Sequence, residues 1–159
     1  MPDLRYFRGI WIKKMANGVR PRLSHIMMKE TLLKLIENIL RGDERVVFAY
    51  AYGSLIGEES FRDVDIALYV MDSQANPFVI TSDIKTKLSR LAKKEGLNLP
   101  ADRFDVQIIN QAPFTFMRRI FKEGALLVDR NPDLRTDLVE YVSFKYRECA
   151  GLLAEMSPL

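Results

Sequence analysis

Residues 45–52, RVVFAYAY, run through β-branched, aromatic and small side chains after a single arginine, and then stop at Gly53-Ser54. A short run of this kind, bounded by a turn signal, reads as a buried strand. Leu32, Leu33, Leu35, Ile36, Ile39 and Leu40 recur at helical spacing and Gly42 follows as a stop, which predicts an amphipathic helix over residues 28–41. Residues 63–70, DVDIALYV, form a second strand that begins with carboxylates. Asn76-Pro77 reads as a break, after which Thr81 or Ser82 can cap a helix to about residue 95. Ile84, Leu88 and Leu91 give that helix its inner face, and Gly96 ends it. A third strand is predicted over 103–109 (RFDVQII), a helix over 113–123 ended by Gly124, a short fourth strand at ALLV, and a last helix from Asn131-Pro132 to about residue 155. This order gives an α/β (α+β) chain, a short sheet flanked by helices.

Composition sets few further limits. With 159 residues, 48% of them hydrophobic, the chain suits one compact domain, and 28% charge leaves it a polar surface. A formal charge of +3 suits a phosphate-bearing ligand, but equally many proteins without one. The single cysteine, Cys149, excludes an internal disulfide and reads as a buried structural thiol. No signal peptide or membrane span is evident, so the expected location is cytoplasmic. Residues 1–27 are basic and irregular, and Met27 or Met28 would make a sensible first residue. They are read as an N-terminal extension, or a gene-start artefact, set apart from a working domain over 28–159.

The chemistry lies in the acidic residues. Side chains alternate along a strand, so Asp63 and Asp65 point the same way while Val64, Ile66, Leu68 and Val70 enter the core. Two carboxylates side by side raise each other's pKa unless a cation sits between them. Hard oxygen ligands at this spacing suit Mg²⁺ or Mn²⁺. Asp105 stands in the third strand between Phe104 and Val106, where aspartate is a poor strand former. If the two strands are neighbours, Asp105 completes a three-carboxylate cluster able to hold two metals. A D-x-D alone is often a solvated turn, and Asp105 alone could be an outer-face residue. The preceding Gly53-Ser54 changes the weighing. Glycine lets the backbone approach a phosphate and the Ser54 hydroxyl can donate to one.

The stretch AYGSLIGEESFRDVDIALYV resembles the signature of the polymerase-β-type nucleotidyltransferase superfamily, and FDVQIINQAPFTFMRRIFKEGALLVDRNPDLR resembles its minimal members, the MNT proteins. The resemblance covers residues 28 to 155 and implies the nucleotidyltransferase fold, a short mixed sheet flanked by helices. It implies that Gly53 and Ser54 bind the triphosphate, that Asp63 and Asp65 bind both metal ions, and that Asp105 binds the one activating the acceptor hydroxyl. It also implies ATP as substrate, Mg²⁺ (two ions, or Mn²⁺) as cofactor, and a HEPN-family partner whose tyrosine receives AMP. The pair would then be a toxin–antitoxin system. One departure is the spacer, residues 55–62, which is shorter than is usual in the family and carries Ile56 where a basic residue is usual. Arg62 can supply a compensating charge. His25, the only histidine, is not needed for this chemistry and is expected at the surface.

Two other readings stay open. The chain could silence a HEPN partner by binding alone, through Tyr141, Phe144 and Tyr146 on the last helix, although packing at home is the commoner fate of such residues. It could instead pass a nucleotide to a small molecule. The clusters Lys13-Lys14, Lys93-Lys94 and Arg118-Arg119 read as solvated charge, not as a nucleic-acid surface.

Overall fold

The computed structural model describes Ile12, residues 15–18 and residues 22–156. Most of the stretch read as an extension, residues 1–27, therefore lies outside the described residues, as does Lys13-Lys14. The elements are α1 (Leu23–Arg41), β1 (Val46–Tyr52), a single turn α2 (Ser54–Gly57), β2 (Val64–Val70), α3 (Pro77–Lys94), a 3₁₀ turn (Ala101–Arg103), β3 (Phe104–Ile108), α4 (Phe114–Glu123), β4 (Ala125–Asp129) and α5 (Pro132–Met156). The strands form one mixed sheet in the order β3-β2-β1-β4, with β2 and β3 parallel and the other pairs antiparallel.

β1 is buried at every position, as its composition requires. Its small Ala49 and Ala51 join one core with Leu32, Leu33, Ile36 and Leu40 of α1 and Ile80, Ile84 and Leu88 of α3. Its aromatic Phe48, Tyr50 and Tyr52 join a second core on the opposite face with Ile120, Phe116 and Phe121 of α4 and Leu134 and Leu138 of α5. Phe48 stacks on Tyr69 at 4.9 Å between centroids. Val64, Ile66, Leu68 and Val70 of β2 all enter the first core, as the alternation predicts.

The helix boundaries differ from expectation in instructive ways. α1 begins at Leu23, five residues before the expected start at 28, and runs without interruption through Met27 and Met28. Asn76-Pro77 does not end an element but starts one. The Asn76 side chain accepts the Phe78 N–H at 3.0 Å, and Pro77 takes the first helical position, where its missing N–H costs nothing. The inner stripe of α3 consequently falls on Ile80, Ile84, Leu88 and Ala92, and Leu91 is 36% exposed. In α5 only Val142 is fully buried, so Cys149 is half-buried, not a core thiol. Tyr141 and Phe144 are 56% and 52% exposed, so they do not pack at home, while Tyr146 lies under the Arg118 guanidinium at 3.7 Å from its ring centroid. His25 is half-buried with no partner for Nδ1 among the described residues.

One end of the sheet is sealed by side chains. Asn110 donates to the Val70 carbonyl at 2.8 Å and accepts the Val70 N–H at 2.9 Å, extending the β2–β3 ladder by a side-chain amide. Arg130 donates to the carbonyls of Arg41, Asp43 and Val46. At the other end, β1 runs out while β2, β3 and β4 begin. The acidic residues gather there.

Candidate active site

The Asp105 position follows from strand pairing. In the parallel β2–β3 ladder Val64 is opposite Phe104 and Asp65 opposite Asp105, so the two aspartates share one level of the sheet. Asp65 also lies opposite Tyr52 across the β1–β2 ladder. Ala67 and Tyr69, next along β2 with the parity of Asp65, belong to the α4–α5 face, which places Asp65 on that face too. Asp63 falls just before β2, because pairing starts only at Val64. Its carboxylate reaches back to Arg103 at 3.7 Å, instead of lying strictly in line with Asp65. Gln107, two residues after Asp105, donates to its carboxylate at 3.0 Å.

Gly53 closes the site from the β1 side. Its φ of 72° and ψ of −148° are open to glycine and strained for other residues. A Cβ there would lie 2.2 Å from the Asp65 Oδ2. The Asp65 carboxylate thus occupies the space that an absent side chain leaves. Ser54 follows, its hydroxyl donating to the Asp63 carbonyl at 3.5 Å. Gly53, Ser54 and the backbone before Asp65 are therefore tied into one small unit.

The electrostatics fit a cation site. Burial, then Asp105 and Asp63 in that order, raise the Asp65 carboxyl above its ordinary 3.8, and Arg119 opposes them. Burial and the Asp65 and Asp105 charges likewise push the Tyr52 phenol up to about 12, again against Arg119, so Tyr52 keeps its proton. Arg119 is three residues beyond Phe116, whose ring meets Tyr52 edge-on at 5.8 Å, and so looks out over the same end of the sheet. Negative charge concentrated beside a glycine that admits close approach is the donor set a hard divalent ion takes. Among the described residues no three such side chains already stand close enough to cage an ion. Asp65 and Asp105 form the prepared pair, and Asp63 would have to leave Arg103 to join them.

Reading the residues in order points to Asp63, Asp65, Asp105, Gly53 and Ser54, and the fold brings all five to one end of the sheet. It does not point to Tyr52, Arg103, Gln107 or Arg119 as neighbours of that site. Only for Arg103 was a signal present. It precedes Asp105 by two residues as Asp63 precedes Asp65, and the parallel register sets the arginine against the earlier aspartate.

A strand ending in Gly-Ser, an aspartate pair at the start of the next strand and a third aspartate on its parallel neighbour define a nucleotidyltransferase. The family model for the polymerase beta nucleotidyltransferase domain matches residues 34–133, a span that contains all five residues, and the chain belongs to that family. Among solved structures it is similar to a chain of a toxin–antitoxin complex with AMP-PNP, at 16% identity and a TM-score of 0.57, over 78% of this chain and 94% of that one. It is also similar to a chain of the tri-AMPylated HEPN toxin in complex with the MNT antitoxin of Shewanella oneidensis, at 14% identity and a TM-score of 0.52, over 83% and 94%. The MntA–HepT toxin–antitoxin follows, at 14% identity and a TM-score of 0.50, over 82% and 93%. A sequence search of curated proteins finds no match. No described helix is long and apolar enough to cross a membrane.

Proposed function

We propose that this nucleotidyltransferase moves AMP from ATP to a tyrosine hydroxyl of a HEPN-type partner and acts as the antitoxin of the pair. The observation that carries the reading is the shared level of Asp65 and Asp105 beside Gly53. Asp63, Asp65 and Asp105 would hold Mg²⁺, or Mn²⁺, two ions in all. Bound there, the ions would neutralise the polyphosphate and make the acceptor hydroxyl more acidic. The chain's own part is placement. Gly53 lets phosphate oxygens reach the backbone, the Ser54 hydroxyl can turn from the Asp63 carbonyl toward them, and Arg119 offers positive charge from α4. Transfer of this type needs position and charge neutralisation more than covalent catalysis. The solved relatives include one with an ATP analogue and one with an AMP-bearing HEPN toxin, which supports the choice of donor and acceptor. The working domain is assigned to residues 28–159, with 1–27 an extension, and the reaction to the cytoplasm.

A second reading rests on α5. Tyr141, Phe144 and Leu152 are more than half exposed, which favours a face made for a protein partner. On that reading the chain neutralises by contact and the aspartates are idle. One experiment separates the two. The protein is incubated with labelled ATP, Mg²⁺ and the helical product of a neighbouring gene, then the Asp63→Asn variant is treated alike. Label on the partner, lost with the variant, is the expected result. Tight co-purification without label would favour binding alone.

A further inference from the structure

Lys29 is completely buried, a rare place for an ammonium group unless its donors are used. It lies on α1, under the loop that joins Ser54 to Asp63. Its Nζ donates to the Glu58 carbonyl and stands 5.9 Å from the centroid of the Phe61 ring. The first contact falls midway along the loop, just after α2, and the second near its Asp63 end. Glu58 ends α2, its own N–H bonded to the Ser54 carbonyl at 2.9 Å. Phe61 packs against the first core and precedes Asp63 by two residues. A second tie runs from the start of α1, where the Arg22 N–H donates to the Glu59 carboxylate at 3.4 Å. The Gly53-Ser54 end of the loop is otherwise fixed by Leu55 and Ile56, both buried. One side chain from α1 therefore touches both the segment that follows Ser54 and the segment that leads into Asp63.

We propose that Lys29 is a positioning residue for nucleotide binding: it sets the separation between the Gly53-Ser54 turn and Asp63. Glu58 and Glu59 outweigh Arg62 and leave the loop with net charge of the wrong sign for a polyphosphate, so a cation beneath it helps it hold its shape when the nucleotide arrives. The inference rests on the nucleotide-binding reading above.

The test is binding of AMP-PNP with Mg²⁺ to the full chain by titration calorimetry, in four proteins. Lys29→Met keeps the length and packing and removes the charge, Lys29→Arg keeps the charge, and Leu33→Ala weakens the same helix away from the loop. The expected result is affinity about tenfold weaker in Lys29→Met, the loss of one charge-assisted contact, largely recovered in Lys29→Arg, and unchanged in Leu33→Ala although its melting temperature falls. Affinity within twofold of wild type in Lys29→Met, or an equal loss in Leu33→Ala, overturns the proposal. If Lys29→Met does not fold, Lys29→Gln, which keeps a donor for the Glu58 carbonyl, is held to the same twofold criterion. Wild-type protein that binds no AMP-PNP would overturn the nucleotide reading itself, and the role of Lys29 with it.

Discussion

The Asp65 carboxylate and the α-carbon of Gly53 are packed so closely that no side chain fits between them, since a Cβ on Gly53 would stand 2.2 Å from Oδ2. The contact joins the turn proposed to receive phosphate to a carboxylate proposed to hold metal. Gly53→Ala must move one of them and must also hold alanine at a φ of 72°. We expect AMP transfer to fall about a hundredfold, the usual scale for a misplaced reacting group, with a stability loss of about 1–3 kcal/mol from the backbone strain. Transfer within a few-fold of wild type, in a variant that melts normally, would show that the contact is incidental.

Asp65 also predicts a pH dependence. Its folded-state pKa lies above the ordinary value of 3.8, so the folded protein disfavours the charged form. That penalty is absent well below 3.8, grows as the pH rises from 3.8 toward the folded-state value, and is complete above it. In metal-free buffer at neutral pH, Asp65→Asn should therefore melt higher than wild type, and the gap should close on acidification. Asp105→Asn should give a smaller gain, because burial outranks Asp105 among the causes. Melting curves with a chelator across the acid range decide it. Equal melting points at neutral pH would mean that the repulsion is relieved some other way.

Arg103 and Asp63 are paired at 3.7 Å with side chains 45% and 56% exposed. A solvated pair of this kind contributes at most about 1 kcal/mol, so Arg103→Ala should barely change the melting temperature. The same change removes the cation that competes for Asp63. Mn²⁺ affinity, followed by electron paramagnetic resonance, should rise severalfold. A fall instead would mean that Arg103 assists the site.

Asn76→Ala removes the cap of α3, far from the carboxylates. The expected cost is about 1 kcal/mol of unfolding free energy in a denaturant titration. Transfer rates at saturating ATP should be unchanged, and a large drop would connect α3 to the chemistry in a way its packing does not suggest.

The strands and their aspartates were legible in the sequence because each rests on a local signal: an uninterrupted apolar run, a strict alternation, a Gly-Ser stop. The register that brings Asp105 to Asp65 is not local, and only the resemblance supplied it in advance. Asn76-Pro77 was misread because the same pair can end one segment or cap the next, and the choice depends on whether Ile80 finds a core. The faces of α5 were ambiguous for a similar reason, since Tyr141 and Phe144 have the composition of a buried stripe and lie outside it. Lys29 offered no signal at all. A lysine in an amphipathic helix reads as solvated until the loop above it is known.

Every segment that serves the aspartates meets the sheet at one end of its strands, whereas Asn110 and Arg130 lock the opposite end with side-chain bonds. The exposed Met71–Gln74 connection lies on that locked side, with the Met71 N–H bonded to the Arg45 carbonyl and the Gln74 N–H to the Asp72 carboxylate, each at 2.9 Å. Foreign sequence spliced between Ser73 and Gln74, such as a fluorescent reporter or a tether, would therefore hang from the rear of the enzyme. It would leave the mouth of the protein clear for the proposed protein acceptor.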